Sequence, residues 1–476
     1  MSRNAFIAGA TLLALFIGAS TAVSPFVTVA GLVGIAVVFL VLRSPLVGLL
    51  FLVAALPFER LGATEVGGST IRASQVLLLL TIGLWLGRLL LRRSPRGSLR
   101  SEAGKASQRP VLSYPIAIPV VAFVAIQILG LQNTPNLERS MIVLGATILT
   151  ISVSILVPAL VTTRDAARRV IMVLFVSAAA VSLFGLFQFF GDVLGLPTTV
   201  TGLRDLYTKD VLGFPRIQST ALEPLYFANY LLLPIGLTFA LYASNSRFVG
   251  RIWMVPLLLL LTVNGILTVS RGGYLGLATM VVLIGLVSLR RLVTPTRLLL
   301  LVGTAAIAYV IVVRALGSGG AINLETFTTH VRGVFYGASY NERVETIDHA
   351  VQAFQNSPWV GIGPGAFGPF AAIHPYVKPV DGWAIVNNEY VELLAENGLF
   401  GLLAFVGLVL ILLVRSLRAY LCTSDPTLRA LLVGTLGAFV GILAQYLTFS
   451  TLYIMHVWFA IGFLVAVQNL ILFRRS

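Results

Sequence analysis

Residues 389–414 read EYVELLAENGLFGLLAFVGLVLILLV. From Leu399 onward the run carries no charge, and about 20 mostly apolar residues are enough for a helix to cross a bilayer. Its opening turns differ. Glu389, Glu392 and Glu396 recur at i, i+3 and i+7 and so share one helical face. The stripe they form is about 10 Å long at a rise of about 1.5 Å per residue. One carboxylate in a first turn complements the helix dipole. Three on one stripe exceed what a cap requires, and acidic residues within a span face the bundle interior or a wet cavity.

The rest of the chain repeats the apolar pattern. Of 476 residues, 57% are apolar and 11% charged, against about 25% charged in an ordinary soluble domain. Mean hydropathy is +0.94. Too few polar residues exist to cover a soluble surface, which excludes a soluble enzyme, a nucleic-acid binder and a disordered scaffold. Apolar runs lie near 5–23, 25–42, 44–58, 72–91, 114–131, 139–161, 168–190, 222–243, 252–270, 272–289, 298–316, 389–414, 428–449 and 452–472. The fold class is an all-α polytopic membrane protein of about 14 transmembrane helices (12–14), with the run at 44–58 the shortest. Met1 to Ala22 is followed at once by a second apolar run, which favours an uncleaved first span over a signal peptide.

Charge sets the orientation. With the N-terminus inside, alternate loops gather 22 of the 33 basic residues and three of the 18 acidic ones. The inner side is then +19 and the outer side −4, which together make the formal +15. That segregation follows the positive-inside rule and places both termini in the cytoplasm. The basic stretch 92–109 reads as an inner loop at anionic headgroups. One cysteine, Cys422, excludes an internal disulfide, and the four histidines show no metal-ligand spacing. No metal and no cofactor is expected.

Two loops of substance fall outside, about 191–221 and 317–388. In the second, Ser339-Tyr340-Asn341-Glu342 is a capping box. The helix it opens has an apolar face of Val344, Ile347, Ala350, Val351 and Phe354, with Arg343 inside that arc. Pro358 to Gly368 is glycine-rich but lacks a βαβ context, so it reads as a tight turn with backbone N–H groups able to hold an anion. Arg271 sits at the tip of a turn, Thr268 to Tyr274, between two spans. Arg216 and Glu223 precede another span, where Glu223 and Pro224 also suit a first helical turn.

Several arginines and a line of carboxylates thus meet at the outer mouth of a helical bundle. Guanidinium forks suit a diphosphate, and a carboxylate or histidine suits deprotonation of a hydroxyl. With no ATP outside the cell, the donor must arrive already activated, as a lipid-diphosphate glycoside does.

At Ser270-Arg271-Gly272-Gly273, at Arg343 with Pro358 to Phe367, and at Asn387 to Gly401, the chain resembles the O-antigen ligase and O-antigen polymerase family of bacterial membrane glycosyltransferases. The resemblance covers about 170–415. It divides the chain into N-terminal helices (1–170), a core holding loop 317–388 (171–415) and C-terminal helices (416–476). It implies metal-independent transfer from an undecaprenyl-diphosphate-linked glycan to the hydroxyl of a polysaccharide or lipid-linked acceptor, in the inner (cytoplasmic) membrane. The family's two diphosphate-binding arginines fall on Arg271 and Arg343, with Arg216 as a further cation. Its histidine motif is met at Asn388, Gly398 and Gly401, but the histidine position itself is Asn387, which cannot accept a proton. This favours polymerisation over ligation and leaves Glu389 and His374 as candidate bases. The expected site is therefore Glu389, Asn387 and His374 for catalysis, Arg271, Arg343 and Arg216 for the diphosphate, and Glu223, Asn388, Glu392 and Glu396 for substrate. A transporter or lipid-linked glycan flippase is the rival reading; a peptidoglycan-type transferase finds no support in these motifs.

Overall fold

The computed structural model describes residues 25–91, 113–292 and 338–473, apart from gaps at 62–63, 67–68, 245–247, 249 and 380–381, with isolated positions between 293 and 337. Thirteen helices longer than two turns run through the described residues. They are α1 (Pro25–Arg43), α2 (Pro45–Ala55), α3 (Ala73–Leu91), α4 (Ala117–Gly130), α5 (Leu137–Leu160), α6 (Arg164–Val193) and α7 (Pro224–Ala243). After these come α8 (Arg251–Leu267), α9 (Arg271–Leu292), α10 (Ala338–Asn356), α11 (Glu389–Cys422), α12 (Pro426–Gln445) and α13 (Met455–Leu472). Twelve of the expected runs each coincide with one of them. The runs at 5–23 and 298–316, and the basic stretch 92–109, lie outside the described residues or touch only isolated positions. Eight helices (α3, α5, α6, α7, α9, α11, α12 and α13) are long and apolar enough to cross a membrane; α1, α2, α4 and α8 offer shorter apolar stretches. A small antiparallel ladder, β1 (Thr64–Val66) with β2 (Ser69–Ile71) in register Glu65↔Thr70, joins α2 to α3. Hydropathy does not reveal it.

The core forms around α7 and α13, whose apolar windows are 89% and 83% buried. Small residues let neighbours approach, as is common where lipid removes the hydrophobic drive between helices. A Cβ on Gly236 of α7 would lie 2.7 Å from the Gly434 carbonyl of α12. One on Gly276 of α9 would lie 2.8 Å from the Gly441 carbonyl. Tertiary contacts gather the α2–α3, α4–α5, α6–α7, α8–α9 and α12–α13 connections at one end of the bundle. There Asn133 Nδ2 donates to Gly361 O (3.1 Å), Asn136 Nδ2 to Pro375 O (2.8 Å) and Thr220 Oγ1 to Pro57 O (2.6 Å).

α10 begins at Ala338, one residue before the expected cap. Its buried side is narrower than the periodicity suggests. Ala350 and Ala353 are sealed, Ile347 packs beside them, and Val344 and Val351 stay 40% and 44% exposed. Ile347, Ala350 and Ala353 share a cluster with Val386, Val391 and Ala395, which docks α10 on the start of α11.

Candidate functional site

α11 is continuous by hydropathy but broken in space. Gly398 has φ 64° and ψ −170°, a conformation that admits glycine and little else. The break frees backbone groups on both sides, and in an apolar setting each needs a partner. The 358–363 turn supplies them. Ile362 N donates to Ala395 O (3.0 Å) and Gly363 N to Glu396 O (2.9 Å), while Leu399 N and Phe400 N donate to Pro358 O (2.8 Å) and Trp359 O (3.1 Å). The turn lies so close that a Cβ on Gly361 (φ 74°) would sit 2.2 Å from the Glu396 carbonyl carbon. The glycine-rich segment, read in the sequence as a tight turn, is a brace for a broken helix.

The glutamate stripe is buried throughout, and its three members have different tasks. Glu396 accepts the Gly365 (2.9 Å) and Phe367 (3.1 Å) N–H groups and the Tyr453 hydroxyl (2.9 Å). The anion held by the glycine turn is thus the protein's own carboxylate. Glu389, 0% exposed, accepts Thr451 N (2.6 Å) and Leu452 N (2.9 Å) through Oε2. Its own N–H donates to Tyr446 O (2.9 Å). Glu389, expected as a candidate base, is thus sealed, not among the cavity-lining residues and fastened to the α12–α13 loop. Glu392 differs again, accepting Val386 N (3.1 Å) while lining a cavity of about 510 Å³.

That cavity lies between the start of α5, the 365–385 loop, the start of α11 and the α12–α13 loop. Sequence reasoning missed most of its polar wall: Glu59, Arg60, Arg72, Arg139, Tyr226 and Tyr453. Arg72 pairs with Glu59 (3.2 Å), which also accepts Met455 N (3.1 Å) at the start of α13. Burial pushes the Glu59 carboxyl up to about 7, against the pull of Arg72. The guanidinium of Arg60 lies over the Tyr226 ring (4.2 Å) and that of Arg139 over Trp383 (5.2 Å). Each of these arginines stands alone near a helix end in the sequence, where it looks like a snorkelling side chain, and only the folded chain brings them together.

The expected arginines are not among the residues that line this cavity. Ser270 Oγ accepts Gly273 N (3.2 Å) and starts α9 at Arg271. The next residue, Gly272, abuts Thr448 so closely that a Cβ would lie 2.1 Å from its Oγ1. Thr346, one turn after Arg343, reaches Val386 O (3.4 Å). Arg271 opens α9 and Arg343 lies in the second turn of α10, while segments 386–389 and 446–448 are tied by Asn388 Nδ2 to Leu447 O (3.3 Å). Arg216 packs on the α8–α9 turn through Thr268 O (3.4 Å) and over the Tyr207 ring (5.4 Å). Burial lowers its pKa, and Tyr207 and Glu223 oppose the shift. Glu223 accepts the Tyr207 hydroxyl (2.5 Å).

Asn387 takes φ 57°, a left-handed conformation that asparagine tolerates, at the turn into α11. Asn388 is the N-cap of α11. Its Oδ1 accepts Tyr390 N (3.1 Å) and Val391 N (3.2 Å), and its Nδ2 donates to Leu447 O, so both ends of the amide of this expected substrate residue have protein partners. His374 is exposed and is not among the cavity-lining residues.

No curated protein matches the chain at a significant level. Residues 256–406, from within α8 to the middle of α11, match the family model described as O-antigen ligase. The match spans the Arg271 turn, α10, the glycine brace and the broken start of α11, so this third of the chain is similar to the O-antigen ligase family, within a protein whose described residues hold eight helices long and apolar enough to cross a membrane.

Proposed function

We propose that the protein is a polysaccharide polymerase. In this reading it moves a glycan from an undecaprenyl-diphosphate-linked donor to the hydroxyl of a growing polysaccharide or lipid-linked acceptor, on the outer face of the cytoplasmic membrane and without a metal. Arg271 and Arg343 hold the diphosphate and balance the charge that develops as the sugar–phosphate bond breaks. Glu392 takes the proton of the acceptor hydroxyl as its oxygen bonds to the sugar carbon. Asn387 orients the reacting groups through its amide, and Arg216 and Glu223 shape the adjoining surface. The lipid diphosphate departs.

The observation that carries this reading is Glu392, a carboxylate 6% exposed that faces a cavity six residues after Val386, whose N–H it accepts. In this reading Glu392 takes the role of the histidine that the family motif has at the Asn387 position. A transporter or flippase would break its helices near the midplane. Here the break at Gly398 lies in the third turn of α11 and is braced by a loop, which supports chemistry at the membrane surface.

The test is Glu392→Gln in nanodiscs supplied with a lipid-diphosphate glycan. Glycan elongation should fall by about 10²–10⁴-fold, the scale of losing a general base, while donor binding persists. Unchanged elongation would remove Glu392 from the mechanism. Transfer of one block to a lipid-core acceptor without elongation would favour ligation. Glycan movement across a bilayer with no new glycosidic bond would favour the flippase.

A further inference from the structure

We propose that the 510 Å³ cavity is an acidic-sugar subsite, in which Arg60 and Arg139 hold an anionic group of the acceptor glycan while one of its hydroxyls meets Glu392. The inference rests on the transferase reading and adds the chemical class of the acceptor.

It follows from which charged groups on the wall already have partners. Arg72 is paired with Glu59 at 3.2 Å. Glu396 accepts three hydrogen bonds from Gly365, Phe367 and Tyr453. Two guanidinium groups are placed otherwise. Arg139 engages only its Nε, with Gly365 O at 2.8 Å, and among the described residues no carboxylate lies within ion-pair distance of it. Arg60 has neither a hydrogen bond nor an ion pair among the described residues and rests on the Tyr226 ring at 4.2 Å. An aromatic ring lies beside each guanidinium and both arginines line the cavity, where a guanidinium edge can bind an oxyanion bidentately. Tyr226, Trp383 and Tyr376 add apolar ring surface of the kind that packs on pyranose C–H faces. Glu392 and Glu396 act on Arg139 through space without an ion pair, and Arg60 has no carboxylate within ion-pair distance among the described residues, so a neutral sugar would leave Arg60 without an anionic partner. A sugar bearing a carboxylate or phosphate substituent supplies one.

The same anion chemistry could come from the donor's own diphosphate, and the experiment separates the two. Binding of trigalacturonate is measured by calorimetry on the full-length protein in nanodiscs, beside its methyl ester, which keeps the skeleton and loses the charge. We expect binding of the acid that is at least tenfold weaker for the ester, at least tenfold weaker in Arg60→Gln, partly restored in Arg60→Lys, and weakened by salt. It should be retained in Glu392→Gln, so that failure of the base assignment and failure of the subsite are separate results. Inorganic diphosphate should not displace the trisaccharide at equal concentration. Displacement by diphosphate would make the cavity the donor site and overturn the proposal. Equal binding of acid and ester, or no binding of either by protein whose melting temperature is unchanged, would overturn it too.

Discussion

The two ends of the bundle use arginine in opposite ways. At the end away from the cavity, arginines close helix termini. Arg88 donates to Leu42 O (3.2 Å) and Arg43 O (2.6 Å), Arg415 to Asn469 Oδ1 (2.7 Å), and Arg429 to Thr423 O. The carboxylate in an ion pair there, Asp425, caps α12 and pairs with Arg164. At the cavity end, Arg60, Arg72 and Arg139 share one space with Glu59, Glu392 and Glu396, while Arg271 opens α9 and Arg343 lies in the second turn of α10. Cations near helix C-termini are stabilising and need no further function. Cations grouped with buried carboxylates carry a desolvation cost that a packed apolar wall would avoid, so their presence argues for a ligand.

The sharpest way to break this contrast is accessibility, because the outcome is all or none. Cys422 is exposed at the far end, and Ile373 is 92% exposed in the cavity-end loop. An impermeant maleimide added to intact cells should leave native Cys422 unlabelled and should label Ile373→Cys in a Cys422→Ala background. The reverse pattern would turn the protein over in the membrane and end the proposal of outer-face chemistry.

Next in size is the arginine comparison. Arg271→Lys and Arg343→Lys should each lower elongation by about 10²-fold, the scale of removing one preorganised charge-stabilising donor, since an ammonium cannot form a bidentate fork. Arg88→Lys at the far end should stay within about twofold, as a surface change does. Equal losses at both ends would mean that these arginines act through folding alone.

Smaller, and read in stability, is the brace. Gly398→Ala forces an L-residue to φ 64° with its Cβ 2.4 Å from the Trp359 carbonyl carbon. It should cost at least about 1–3 kcal/mol, seen as a lower melting temperature in detergent, whereas Gly407→Ala, with open space around its Cβ, should not. The smallest expected effect separates neighbouring carboxylates. Glu389→Gln keeps an oxygen for Thr451 N and Leu452 N and should leave elongation within about threefold, while Glu389→Ala strands two buried N–H groups at about 1–3 kcal/mol each. Loss of elongation in a stable Glu389→Gln protein would return the base to Glu389.

Much of this architecture is legible in the amino-acid sequence. Composition establishes a membrane protein, apolar runs locate twelve helices of the described region, and the 3.6-residue period puts three glutamates on one face of α11. Ser270 and its glycine pair announce the turn that carries Arg271. These are local properties, set by which neighbours along the chain are apolar, charged or able to bend. The tertiary structure alone decided that Glu392 and Glu396 line the cavity and Glu389 does not. Glu389 and Glu392 sit one turn apart with the same chemistry, and they differ because the backbone of residues 451–452, some 60 positions away, closes over the first and not the second. The break at Gly398 is hidden for the same reason: its freed N–H and C=O groups are answered by a turn about 40 residues earlier. Arg60, Arg72 and Arg139 become one wall only because their helices pack together. Periodicity reports the face a residue occupies, and partners brought from far along the chain determine what that face meets.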